Sequence, residues 1–215
     1  MPEIPDLFTQ QHWDERYGST DRVWSGRPNA QLVAFTGELT PGTALDVACG
    51  EGGDAIWLAG RGWTVTGVDI SPVGLARAAE HARQAGDEIA ARITWRQADL
   101  FADRAPELGT FSLVTSHYLH LPPVVRERAM ARLAGAVAPG GHLLVVAHHP
   151  RDLEVPGLRP NLPELFQTAE QLGEQLDPET WEILAAQAPA REVEHRRTGE
   201  TVTVHDAVLL ARRRS

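Results

Sequence analysis

The 215-residue chain has one cysteine, Cys49. An intrachain disulfide and a thiolate-rich metal centre are therefore excluded. No apolar run is long enough to cross a bilayer, and the opening MPEIPDLFTQQHWDERYG has no signal-like apolar core. A surplus of positive charge is missing as well: the formal net charge is −9, which argues against a broad basic face for nucleic acid. Arg196-Arg197 and Arg212-Arg213-Arg214 are local exceptions, the second of which reads as a solvated terminus. No repeat or low-complexity linker divides the chain. The expectation is a single domain over residues 1–215, cytoplasmic, with neither a membrane nor a nucleic acid as partner.

What is present is a regular alternation of short β-like and helical stretches. Thr43–Ala48, Trp63–Asp69, Arg92–Ala98, Phe111–Ser116 and His142–Ala147 read as five strands. Between them lie helical patterns from Asp54, from Ser71-Pro72 to Gly86, and within Pro122–Val137, the last halted by Pro139-Gly140-Gly141. Strands separated by single helices build βαβ units, hence a mainly parallel sheet covered on both faces. Thr168 and Gln171 have capping-box spacing, so a short helix is expected there. Trp181–His195 and Thr201–Ala211 flank Arg197-Thr198-Gly199-Glu200, the signature of an antiparallel hairpin. Residues 150–175 begin as a proline-rich excursion with Pro150, Pro156, Pro160 and Pro163, which reads as a lid.

In open parallel sheets ligands bind beyond the carboxyl ends of the strands. Four segments should meet there: Asp46 to Gly53, Asp69 to Ser71, Ala98 to Leu100, and Ser116 to Leu119. Three carry an aspartate, a field that repels phosphate and suits hydroxyls or an ammonium group. The loop after the first strand, LDVACGEGGD, has no Gly-Lys-Ser/Thr ending and so is not a P-loop. Its Gly50, Gly52 and Gly53 miss the G-x-G-x-x-G spacing, and Glu51 puts a charge inside the turn, which disfavours a nicotinamide-dependent oxidoreductase.

LDVACGEG, VDIS and QADL, in that order and followed by the hairpin, resemble the motifs of the class I S-adenosylmethionine-dependent methyltransferases. The likeness spans roughly residues 30–211. It implies a Rossmann-like, doubly wound α/β fold with a seven-stranded sheet, mainly parallel with a C-terminal antiparallel hairpin. It also implies S-adenosyl-L-methionine as cofactor and S-adenosyl-L-homocysteine as product. Asp69 would take the ribose hydroxyls, Asp46 the ammonium group, and Asp99 the adenine side. Ala48, Cys49, Gly50, Glu51, Gly52, Ile70, Ser71, Ala98, Leu100 and Ser116 would complete the cofactor site. HWDERYGSTDRVWSGRPN, residues 12–29, resembles the capping segment of the small-molecule thiopurine-type and tellurite-resistance-type members. By that likeness residues 1–30 fold over the cofactor, with Tyr17, Trp24 and Arg27 at its methionine end.

Methyl transfer from a sulfonium needs no covalent enzyme intermediate, so Cys49 is read as a small loop residue rather than a nucleophile. Acceptor contacts are assigned to His117, Tyr118 and His120, with either histidine a candidate general base. His148-His149 fall at the same sheet edge, whereas His142, His195 and His205 read as structural. No histidine spacing matches a metal motif, and no metal is expected. The expected reaction is in-line transfer to a small-molecule oxygen, nitrogen, sulfur or chalcogen acceptor, by a monomer or homodimer. A non-catalytic cofactor-binding regulator and an NAD(P)-dependent oxidoreductase are the rivals. A base-flipping nucleic-acid enzyme is disfavoured, because Ser116-His117-Tyr118-Leu119 stands where its Asn-Pro-Pro-Tyr motif would be.

Overall fold

The computed structural model describes residues 8–100, 102, 105–159, 162–195 and 197–215. Pro160, Arg196 and the first seven residues of the expected cap lie outside them. The β-branched runs form one sheet whose parallel strands are β1 (Thr43–Val47), β2 (Thr64–Asp69), β3 (Ile93–Gln97), β4 (Phe111–His117) and β5 (Val137–His148). Their order is β3-β2-β1-β4-β5, so the chain reverses direction across the sheet between β1 and β4. That reversal opens the crevice in which α/β sheets bind ligands.

Three further strands continue from β5. β8 (Thr201–Arg213) pairs antiparallel with β5, and both β6 (Trp181–Gln187) and β7 (Ala190–Glu194) pair antiparallel with β8. The first arm of the expected hairpin is thus two strands, interrupted around Pro189, a residue that cannot donate to a ladder. The sheet otherwise has the mainly parallel, Rossmann-like form that the alternation of elements implied.

Helices cover both faces. α3 (Gly53–Gly60) and α4 (Pro72–Ala85), followed by the short α5 (Asp87–Ala90), flank β1 and β2; α2 (Ala30–Thr36) packs toward β5, and α6 (Pro123–Gly135) and α7 (Ala169–Gly173) lie toward β4, β5 and β8. Ser71 caps α4 by accepting from the Gly74 amide, with Pro72 in the first turn. The capping box of Thr168 and Gln171 forms at α7. α6, however, stops at Gly135, before the Pro-Gly-Gly sequence. Pro139–Gly141 instead interrupt the start of β5, where the register with β4 slips between Phe111 and Leu113. Proline and glycine at a strand bulge satisfy the same backbone restrictions as at a helix stop. The proline-rich excursion contains two short 3-10 turns, Pro150–Glu154 and Pro163–Leu165.

Leu45, Val47, Val114, Leu143 and Leu209 belong to one apolar cluster; Leu113, Leu144, Val146 and Val208 belong to another. Both faces of the central strands are therefore buried, as expected of a parallel sheet. Among the described residues no helix is long and apolar enough to cross a membrane.

Candidate active site

The carboxyl ends of β1 and β2 face each other across the glycine loop. At the end of β2 the buried Asp69 accepts the Gly50 amide with Oδ2 and the Ser71 amide with Oδ1, both at 2.9 Å. Burial pushes its carboxyl up, against the pull of those amides. Ala48 and Gly50 adopt left-handed backbone, φ 58° and 53°. A side chain on Gly50 would meet the Tyr17 hydroxyl and the Trp24 indole nitrogen, so this glycine is required by close approach. Gly52, also left-handed, precedes α3 and leaves no room beside Trp95 and Ala78.

Glu51 is buried at 3% exposure, and its carboxylate accepts from the Val23 and Trp24 amides and from Arg77 of α4. The charge inside the glycine turn therefore straps residues 23–24 to the loop. α1 (Gln10–Gly18) lies against α4. Ser71 Oγ donates to Asp14 Oδ1 at 2.5 Å, and the Trp24 Nε1–H donates to Tyr17 at 3.2 Å. Burial, with Asp69 nearby, pushes the Tyr17 phenol up, so it stays protonated. Trp24 remains 42% exposed under the Arg16 guanidinium, and Arg27 is exposed. The half-buried Cys49 thiol is pushed up by desolvation and by Asp46 and Asp69, the reverse of what a nucleophile needs.

The remaining cofactor candidates divide. Ile70 is half-buried and Ser71 fully buried at the head of α4. The Ala98 amide donates to the Asp69 carbonyl; the exposed Asp99 accepts the Ala102 amide. Leu100 packs in the larger apolar cluster with Val68 and Ala98. Ser116 faces the α6 side, lining a cavity of about 40 Å³ with Leu119, Met130 and Val145. Strand alternation turns it away from His117.

Between β1 and β4 sits an acid–histidine cluster. Asp46 is 2% exposed; Oδ1 accepts from Thr115 at 3.1 Å while Oδ2 has no partner. Burial, aided by Asp54, raises its carboxyl to about 7. His117 Nδ1 donates to Asp54 Oδ2 at 2.7 Å, and Asp54 Oδ1 accepts the Asn29 amide at 2.6 Å. The second ring nitrogen, Nε2, is buried without a partner. Burial lowers the His117 pKa, but Asp54 and Asp46 outweigh it and the net direction is up. Atoms of Asp46, Asp54 and His117 lie within 4.8 Å of one another, a spacing that could also bracket a cation. Asp54 gave no sequence signal beyond its place at a helix start, since its partner is 63 residues away.

Tyr118, held left-handed at φ 54°, follows. Its hydroxyl donates to Asp206 Oδ1 at 3.0 Å; Gln31 and Arg191 donate to Asp206 Oδ2. Asp206 is 1% exposed at the centre of this network. Tyr118, His148, His120 and Phe166 form a contiguous set of rings, with centroids 4.4 Å, 4.7 Å and 5.8 Å apart in succession. His149 instead caps the turn at Pro150, accepting the Arg151 amide. His195 joins the β7–β8 turn to the excursion, donating to the Pro156 carbonyl. Asp152, buried in the excursion, accepts the His205 amide at 2.8 Å and Arg159 at 3.3 Å.

Comparison with known proteins gives a consistent picture. Residues 44–141 match the family model described as "Methyltransferase domain". A 2-heptyl-1-hydroxyquinolin-4(1H)-one methyltransferase of Mycobacteroides abscessus is 30% identical over 142 residues, 62% of this chain and 60% of that protein. The chain thus spans about three fifths of the length of this curated relative. A solved structure described as "Conversion of a Disulfide Bond into a Thioacetal Group during Echinomycin Biosynthesis" superposes with a TM-score of 0.71 at 25% identity, covering 95% of this chain and 92% of the other. An S-adenosylmethionine-dependent methyltransferase structure from Anabaena variabilis superposes at 0.67 over 99% of this chain and 98% of its own; at 18% identity it supports the fold alone.

Proposed function

We propose that this chain, whose motif order, fold and match over residues 44–141 resemble those of the class I S-adenosylmethionine-dependent methyltransferases, transfers the cofactor's methyl group to a small-molecule acceptor. The observation that carries this reading is the pair of buried carboxylates, Asp46 and Asp69, at adjacent strand ends on either side of the glycine turn. Their field rejects phosphate and fits a ligand with ribose hydroxyls and a cationic end. The unpartnered Oδ2 of Asp46 suits an ammonium group, and the second lone pairs of Asp69 remain for hydroxyls. Tyr17 and Trp24, strapped down by Glu51, close the loop side and would exclude water there.

When bound, the cofactor supplies a methyl group made electrophilic by its sulfonium. The chain's own contribution is then alignment and, for a protonated acceptor, removal of one proton. His117 is the best-held base among the three acceptor-contact candidates. Asp54 fixes its Nδ1–H, which leaves the lone pair on Nε2. Tyr118, bound into the Asp206 network and raised to about 12, and His120 are wall residues in this reading. The name of the Mycobacteroides relative denotes a small-molecule acceptor, which supports that class here. The net charge of −9 supports the absence of a nucleic-acid partner.

Turnover assays with S-adenosylmethionine across oxygen, nitrogen and sulfur acceptors test the proposal. Formation of S-adenosylhomocysteine that depends on the acceptor is the expected result. Binding of the cofactor with no turnover on any acceptor would favour a non-catalytic regulator.

A further inference from the structure

The ring set over β4 and β5 has a feature that methyl transfer by itself does not require. His148 lies between Tyr118 and His120, and Phe166 of the excursion extends the same set of tilted, stacked rings. Within this set His148 Nδ1 and both ring nitrogens of His120 are buried with no hydrogen-bond partner. The Leu165 backbone acts on His120 from outside good hydrogen-bonding geometry. The charge of Arg159 acts on both rings. One of its terminal nitrogens reaches Asp152 at 3.3 Å, while its Nε is buried and unpartnered. Buried polar groups left unpaired are costly, so the three unpartnered histidine nitrogens of this stack, with the unpartnered Arg159 Nε, point to a polar guest.

The formal charges acting on the two histidines have one sign. The ionic groups acting on His120 and His148 are Arg159 and, for His148, Arg191; no carboxylate is among them. Burial and these guanidinium groups hold His120 down to about 4 and His148 down to about 2. Both rings are therefore neutral near pH 7, able to donate or accept without adding charge. Arg159 is paired with the buried Asp152 and Arg191 with the buried Asp206, so what Arg159 offers a guest is its unpartnered Nε rather than a net positive field.

Resting on the methyltransferase reading, we propose that the acceptor half of the site binds a planar aromatic molecule carrying one ionised oxygen. Its ring lies against His148, His120 and Phe166, and its oxygen is held by Arg159 Nε with the histidine N–H groups. The rings suit an aromatic guest, and the anion is matched by Arg159 Nε, an unpartnered N–H on a charged group.

The test is calorimetry on the full chain saturated with S-adenosylhomocysteine, using 2-naphthoate, 2-naphthamide and cyclohexanecarboxylate as probes. 2-Naphthoate is expected to bind about tenfold more tightly than either of the others, the scale of one charge-assisted hydrogen bond. Arg159→Met should erase the preference over 2-naphthamide while S-adenosylhomocysteine affinity stays within about twofold. Because that variant leaves Asp152 buried and unpaired, the double variant Asp152→Asn/Arg159→Met should give the same loss in a chain with the charge pair removed together. Equal binding of naphthoate and naphthamide, no measurable naphthoate binding, or an undiminished preference in the double variant overturns the proposal. If S-adenosylhomocysteine itself fails to bind, the methyltransferase reading is what falls.

Discussion

Above β1 and β2 the polar side chains are bound to the chain's own backbone; above β4 and β5 several buried nitrogens are not. Asp69 takes two amides, Glu51 takes two amides and an arginine, and Ser71 bonds both Gly74 and Asp14. On the other side His117 Nε2, His148 Nδ1, both nitrogens of His120 and Arg159 Nε lack partners. Asp46, half-satisfied, marks the border. The difference teaches a division of labour. One half is organised before any ligand arrives, the economy expected of a cofactor site, and the other keeps unspent hydrogen-bonding capacity for a guest.

The comparison breaks most severely at Glu51. Glu51→Ala strands the Val23 and Trp24 amides and the Arg77 guanidinium, and should cost about 3 kcal/mol, the low end for a broken buried pair because Arg77 keeps some solvent. Urea unfolding measures it; a change within experimental error would show that the strap is ornamental. Next in size is Asp69→Ala. Losing this buried acceptor should weaken S-adenosylhomocysteine binding by about 1–3 kcal/mol, or one to two orders of magnitude. An unchanged affinity in a folded variant would mean that Asp69 serves only the loop.

Asp54→Asn probes the other half. Asp54 holds the His117 pKa above its ordinary value, so its removal should move the acid limb of kcat/KM to lower pH, with kcat reduced as the ring loses its orientation. A purely structural Asp54 would lower stability and leave the pH limb in place.

The smallest effect is at Asp46. Its folded pKa of about 7 lies above the ordinary 3.8, so the folded state binds the extra proton. This group therefore subtracts stability progressively as pH rises from about 4 to about 7. Asp46→Asn should melt higher than the unmodified chain at pH 8 and equally at pH 4. A lower melting temperature at pH 8 would show that the carboxylate is better compensated than its unpartnered oxygen indicates.

Much of this was legible in the sequence. The alternation of elements, the glycine turn and the aspartates at strand ends depend on neighbours within a few residues, where periodicity and capping rules act. Pro139-Gly140-Gly141 was misread as a helix stop because a strand bulge imposes the same residue types. Glu51 looked like a ligand-facing charge, and its straps at Val23 and Trp24 were invisible because they join segments 27 and 28 residues apart. The Asp54–His117 pair and the Gln31–Asp206 bond are likewise tertiary events with no local signature. The narrower likeness to thiopurine-type and tellurite-resistance-type enzymes does not by itself name an acceptor, since a fold and its capping segment can serve many.

The most direct test of the account is calorimetric titration of the chain with S-adenosylhomocysteine and, separately, with NAD. Two buried carboxylates beside a loop unfit for pyrophosphate predict clear one-site binding of S-adenosylhomocysteine and much weaker binding of NAD. Tight NAD binding with no response to S-adenosylhomocysteine would contradict it.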